Sequence, residues 1–199
     1  MPGASPNAAR LFVVSIIPNK LLHGWGRLVM GNNGIVILGL QETLAKLSPK
    51  MAARPARNFM NRSTIAIQSA ARKHAWVDRG QWKNSIATEV DTAEIPNWGR
   101  VGSNLGKDGI VAMSIELGSK PHWAPLAPLE AWAQRHGMEE GAGRSIQLKI
   151  AKYGTPANLA ITDGVTDSLS KIENYIAVMA REIEADAAAG SAGSSWRAY

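Results

Sequence analysis

Ile110-Val111-Ala112-Met113-Ser114-Ile115-Glu116-Leu117 is an unbroken, largely apolar run rich in β-branched residues, with Gly109 before it and Gly118-Ser119 after it. Its length and composition predict a strand. Two weaker strand signals precede it, the alternating Ser85-Ile86-Ala87-Thr88-Glu89-Val90 and the segment Trp98 to Val101. Gly102 to Gly109 reads as the loop between the last two. Three such strands would make a small antiparallel sheet, and such a sheet needs a helix to cover its apolar face.

That helix is written upstream. Ser48-Pro49 offers an N-cap followed by proline at the first helical position. From there to about Ala75 the chain is rich in Ala, Arg, Met and Gln, with Met60, Thr64, Ile67, Ala71 and His74 at helical spacing. Pro55 is expected to kink this helix or reset its start. Further upstream, Leu11 to Ile17 reads as a strand, Gly31-Asn32-Asn33-Gly34 as a turn leading into the strand Ile35 to Leu38, and Gln41 to Leu47 as a short helix.

Downstream of the sheet, a proline-punctuated passage from Pro121 to Pro128 leads into a short helix, Leu129 to Arg135. A second helix, Arg144 to Lys152, ends at Gly154. The last spans about Asp163 to Asp186, with Ile172, Tyr175, Ile176, Met179 and Ile183 on its apolar face. The expected fold is α+β: a small antiparallel sheet packed on one long helix, with additional C-terminal helices and flexible terminal arms. The expected organisation is an N-terminal arm and extension (1–33), an α+β domain (34–160), a C-terminal helix (161–187) and a flexible tail (188–199).

Composition bounds the function. The 199 residues are 45% hydrophobic, enough for a core, and contain no cysteine. A disulfide scaffold, a thiol nucleophile and a cysteine-ligated zinc site are thereby excluded. No apolar stretch approaches the ~20 residues needed to span a bilayer, and Leu11 to Ile17 lacks the flanks of a signal peptide. No membrane partner is expected. The net charge of +6 is uneven: residues 1–100 carry 13 Lys and Arg against 5 acids, residues 101–199 carry 9 against 11. Nine bases lie between Lys46 and Lys83, with Asp78 as the sole acid among them. Such a stripe can meet DNA phosphate, an acidic subunit or water.

No catalytic constellation emerges, and no catalytic, cofactor-binding or metal residues are assigned. His23, His74, His122 and His136 are scattered, without a carboxylate at metal-ligand spacing. His122, between prolines, is expected to be a turn histidine. Glu139-Glu140 reads as solvated, and Asp163 and Asp167 as charges suited to a helix N-terminus. Gly24 and Gly26 are not followed by a phosphate-loop signature, and no Gly-x-Ser-x-Gly elbow exists. The seven tryptophans suit subunit interfaces or the core.

Three elements in order carry a resemblance: Arg79-Gly80 with Ser85-Ile86, Glu116-Leu117-Gly118-Ser119, and Ile150-Ala151-Lys152-Tyr153-Gly154-Thr155-Pro156. Together with the proline-rich bend, they resemble the small tail-component or neck family of long-tailed double-stranded DNA phages, typified by the gene-ten product of a lambdoid phage. The likeness spans about residues 34–180. It departs in the extension 1–33 and in Val111-Ala112-Met113, where a tyrosine-alanine pair is usual. The resemblance implies a non-catalytic virion protein without cofactors, assembled in the bacterial host cytoplasm. It further implies a homo-oligomeric ring in the neck that joins head to tail. Its partners would be copies of itself, neighbouring adaptor or head-closure proteins, and the tail terminator or tail tube, with possible non-specific contact to packaged DNA. Tail completion in the same stack is the nearest alternative, and a basic DNA-binding module the rival.

Overall fold

A computed structural model describes residues 27–31, 34–38, 49–96, 98–103, 105–106 and 109–194. The elements are β1 (Arg27–Gly31), β2 (Gly34–Leu38), α1 (Pro49–His74), α2 (Gln81–Ser85), β3 (Ile86–Val90), β4 (Gly99–Ser103), α3 (Ile110–Leu117), α4 (Leu126–Arg135), α5 (Ala142–Tyr153) and α6 (Ala160–Ser194). The class is α+β, mostly helical, with small two-stranded antiparallel sheets. The expected strand at 11–17 and helix at 41–47 lie outside the described residues.

The core lies between α1 and α6, which run antiparallel: Arg54 near the start of α1 meets Asp186 late in α6, and His74 at the end of α1 meets Asp167. Phe59, Met60 and Ile67 from α1 are buried with Ile172, Met179 and Ile183 from α6. Small residues set the spacing. A Cβ on Gly164 would stand 2.5 Å from the backbone nitrogen of Ala71, so only glycine admits so close an approach. Ser63 and Ser168, both wholly buried, keep the same seam narrow.

The hairpin β3–β4 pairs Ile86 with Ser103 and Val90 with Gly99 and lies on α1. Gln68 Nε2 and Arg72 Nη2 both donate to the Ile86 carbonyl, each at 2.8 Å. Gly99 sits where a Cβ would come within 2.7 Å of Thr64 Cγ2. The other hairpin pairs Met30 with Ile35 and Gly31 with Gly34, which agrees with the glycine-asparagine turn signal; its first strand, β1, gave no separate signal in the sequence.

Four expectations are corrected. Ile110 to Leu117 is a helix, not the strongest strand. Its buried positions, Ala112 and Glu116, are four apart, and it is bracketed by Gly109 and Gly118 in positive-φ conformations. A short continuous apolar run has no period to separate strand from buried helix, so tertiary contact decides. The sheet on α1 therefore has two strands. Next, α1 runs without a break through Pro55, which does not reset its start at Pro49. Helix α4 begins at Leu126, not Leu129, taking Pro128 into its first turn, where a missing N–H costs nothing. Finally, α6 begins at Ala160 and continues to Ser194, past the boundary expected at 187; the alanine-rich stretch 187–189 suits a helix as well as a tail.

Candidate functional site

Two of the three elements of the resemblance, Glu116 to Ser119 and Ile150 to Pro156, meet at one bend. Ser119 and Thr155 form an isolated antiparallel bridge. Each backbone N–H donates to the other's carbonyl at 3.1 Å, and their hydroxyls lie 2.8 Å apart. Gly118 and Gly154, each just before a bridge residue, have φ of 73° and 75°. Side chains there would drive into Thr155 O and Ser119 O respectively. Gly118 thus excludes a side chain, and it terminates a helix, not the strand expected over 110–117.

Beside this bridge, Glu116 is 1% exposed and holds the start of α6. Its carboxylate accepts from the backbone N–H of Ile161 and Thr162 at 3.0–3.1 Å and from the Thr162 hydroxyl. The residue before α6 is Leu159, at φ 51°, whose side chain has no oxygen to cap the helix. Glu116 therefore supplies the missing cap from another helix, aided by the N-terminal dipole. Next to it, Asn158 joins three segments. Its side-chain oxygen accepts from Trp82 Nε1 at 2.8 Å and from the Trp76 N–H at 3.2 Å, while its Nδ2 donates to the His74 carbonyl. Asn158 gave no signal in the sequence, because a lone asparagine shortly after a proline reads as a turn residue.

The Asn158 clamp shapes the segment leaving α1. Trp76 and Val77 stay exposed, Trp82 is buried, and between them opens a cleft of about 450 Å³ lined also by Leu105, Val111, Ile115, Trp132 and His136. Asp78 is at its rim. Arg135 Nη2 donates to Asp78 at 2.8 Å and His136 Nε2 at 3.2 Å, tying the segment to the end of α4. The Arg135 hydrogen bond, reinforced by His136, outweighs partial desolvation and holds the Asp78 carboxyl below its ordinary value. His136 stacks on Trp132 with centroids 4.2 Å apart. No serine, threonine or cysteine is among the described residues lining the cleft. What it offers chemically is mainly apolar contact, beside an engaged carboxylate and the exposed polar side chains of Arg79 and Gln81.

The remaining candidates are dispersed. His74 pairs with Asp167 at 2.8 Å, so Asp167 serves an inter-helix contact, while Asp163 lies in the first turn of α6. His122 is a turn histidine, its Nδ1 donating to the Lys120 carbonyl at 2.9 Å. Glu139 and Glu140 are exposed, and His23 lies outside the described residues. Among those residues no three metal-ligating side chains cluster, and no helix is long and apolar enough to cross a membrane. Of the tryptophans, Trp82 is in the core, while Trp76 and Trp123 are more than half exposed.

Four of the nine bases of the stripe are engaged within the chain. Arg54 pairs with Asp186 and Arg62 with Glu182 across the helix seam. Arg57 donates to the carbonyl of Ala93, and Arg72 to that of Ile86. Lys73, Arg79 and Lys83 remain exposed. Comparison with known proteins finds no matching family model, curated protein or solved structure.

Proposed function

We propose that this chain is a non-catalytic structural protein of a tailed phage, a subunit of the neck ring that joins the DNA-filled head to the tail. The observation that carries the reading is the meeting of two resembling elements, Glu116 to Ser119 and Ile150 to Pro156. They are brought face to face by a bridge between residues 36 apart. Two motifs that share one tight bend form a single structural unit, which accounts for their appearing together and in order.

The cleft supports the assembly role. A closed ring requires heterologous contacts, in which a projecting patch of one copy fills a recess of the next. Exposed Trp76, Val77 and Val111 around a shallow apolar recess suit such a contact, since tryptophan is favoured at interface cores. Tail completion in the same stack is the nearest variant and uses the same surfaces. The DNA-binding-module reading has less support from the Lys46–Lys83 stripe, because four of its arginines are already committed to acids or carbonyls within the chain.

Electron microscopy and native mass spectrometry of the purified protein test the proposal. Rings, or recruitment to a portal or tail-tube ring of a phage virion, are the expected outcome. A particle that stays monomeric at high concentration and joins neither ring would overturn it. The Trp76→Ala variant should weaken ring formation while leaving the helical content unchanged.

A further inference from the structure

Four cations gather on one side of the molecule without a carboxylate partner among the described residues. Arg144, Lys149 and Lys152 are on α5, and Lys120 is on the strap 119–124 beside it. All four are exposed, and none takes part in an ion pair among the described residues. The strap is fixed against α5 by Gln147 Nε2 donating to the Ala124 carbonyl and by the His122 N–H donating to the Ile150 carbonyl.

Helical spacing puts Arg144, Leu148 and Lys152 in one row and Lys149 in the next. At about 100° per residue, these cations fan across roughly 140° of the helix circumference and about 12 Å of its length. Two of them are held over exposed aromatic rings. The Arg144 guanidinium is 5.6 Å from the Trp123 centroid, and Lys152 Nζ is 4.9 Å from that of Tyr153. A cation resting on a ring keeps its charge at the surface with less rotamer freedom to lose on binding. The carboxylates nearest in sequence leave the row free: Glu130 accepts from the Gly143 N–H, and Glu139 and Glu140 precede the helix.

We propose that this face of α5, with the strap, is a non-specific binding surface for the phosphate backbone of duplex DNA. Charge complementarity requires a polyanion, and the shape of the surface selects which one. Cations fanned over a convex helix about 10–12 Å across reach phosphates on both walls of a major groove about 12 Å wide. A flat anionic membrane would meet one row at a time, and single strands are bound in grooves lined by stacking rings, not on ridges. Gln147, the amide on this helix, is buried and committed on both sides, its Nε2 to the Ala124 carbonyl and its Oε1 to Arg144, so it offers no amide to base edges, and the contact proposed is to the phosphate backbone. The inference rests on this face alone and stands or falls independently of ring assembly.

Fluorescence anisotropy of a labelled random-sequence duplex, titrated with the full chain over a range of salt, tests it. Log affinity should fall linearly with log salt, and the triple variant Arg144→Ala/Lys149→Ala/Lys152→Ala should bind roughly tenfold more weakly with a salt slope smaller by about 2 to 3. The single Lys149→Gln variant, at an exposed position, should reduce the slope by about 1 without changing helical content. Arg54→Ala/Arg62→Ala should leave both quantities unchanged. Absence of duplex binding at low salt, an unaffected triple variant, or tighter binding to single strands or anionic vesicles would overturn the proposal.

Discussion

Helices α1 and α5 are both rich in cations, and the fold treats them in opposite ways. Along α1, Arg54 and Arg62 face Asp186 and Glu182 of α6, and Arg57 and Arg72 are turned to backbone carbonyls. Along α5, Lys149 and Lys152 face solvent and Arg144, exposed too, donates only to Gln147 Oε1 of its own helix; aromatic rings lie beneath two of the three, and none has a carboxylate partner among the described residues. Linear charge density points to α1, where the chain is most basic. Three-dimensional pairing points to α5. The acids that offset α1 are more than a hundred residues away in sequence, on a helix that folds back antiparallel to it. A stripe of like charge therefore locates a field only after its counter-charges have been found.

The comparison breaks most severely if α1 and α6 are forced apart. Gly164→Val would place side-chain atoms inside the Ala71 backbone contact, and the arginines of α1 would lose their acids together with the core packing. Overpacking costs about 1 to 3 kcal/mol where neighbours can shift; here the neighbour is helix backbone, so the upper end or beyond is expected. Denaturant unfolding measures this as a lowered midpoint. A variant as stable as the wild type would show that the two helices can separate without loss.

Glu116→Ala comes next. It removes the acceptor for Ile161 N–H, Thr162 N–H and the Thr162 hydroxyl in a buried site, and two backbone donors lose their partner. A loss of about 2 to 4 kcal/mol is expected from the unsatisfied buried groups and the missing cap. Glu116→Gln should recover part of it through its remaining carbonyl oxygen. Hydrogen exchange at the first turn of α6 should accelerate in the alanine variant before the rest of the helix. Uniform exchange across α6 would count against a local capping role.

How much of this was legible in the sequence differs between the two regions for a physical reason. The long helices announce themselves: Ser48-Pro49 marks the start of α1, and Ile172, Met179 and Ile183 repeat at helical spacing, all three buried. Gly118 and Gly154 were legible as glycines at element ends. What was illegible depended on pairing at a distance. Ile110 to Leu117 has strand-like composition, and only the need to aim Glu116 at α6 and bury Ala112 on the same side makes it a helix. Asn158 and Gln147 matter through partners 76 and 23 residues away, which spacing cannot show. Arg144 and Lys152 of α5 lie in one i, i+4 row, so the row could have been read; that no acid among the described residues pairs with it could not.

A smaller effect separates the two regions electrostatically. The pairs Arg54–Asp186 and Arg62–Glu182 have well-exposed arginines, at 67% and 48% for the side chain. Removing both arginines should cost about 0.5 to 1 kcal/mol in low salt and less in high salt, as surface pairs do. If the double variant instead lost several kcal/mol, the α1 charges would be structural and the contrast with α5 one of stability as well as of field.

The smallest effect is on the segment that leaves α1. Asp78 is the acid within the basic stripe, and hydrogen bonds from Arg135, then His136, hold its carboxyl below the ordinary value. A depressed carboxyl binds its proton less readily in the folded state than in the unfolded one. Its stabilising contribution is therefore complete above the unfolded value of about 4 and is lost as pH falls through the lower folded value. In Asp78→Asn the acid limb of the stability profile below about pH 4 should be slightly flatter, with no change in pH dependence above it. Unfolding midpoints from pH 2 to 7 would measure the difference between the two proteins (about 2 and 7 marking the ends of the scan). An identical acid limb in the variant would mean that the Asp78 contact does not hold this segment to α4, and the apolar cleft beside it would then depend on the Asn158 clamp alone.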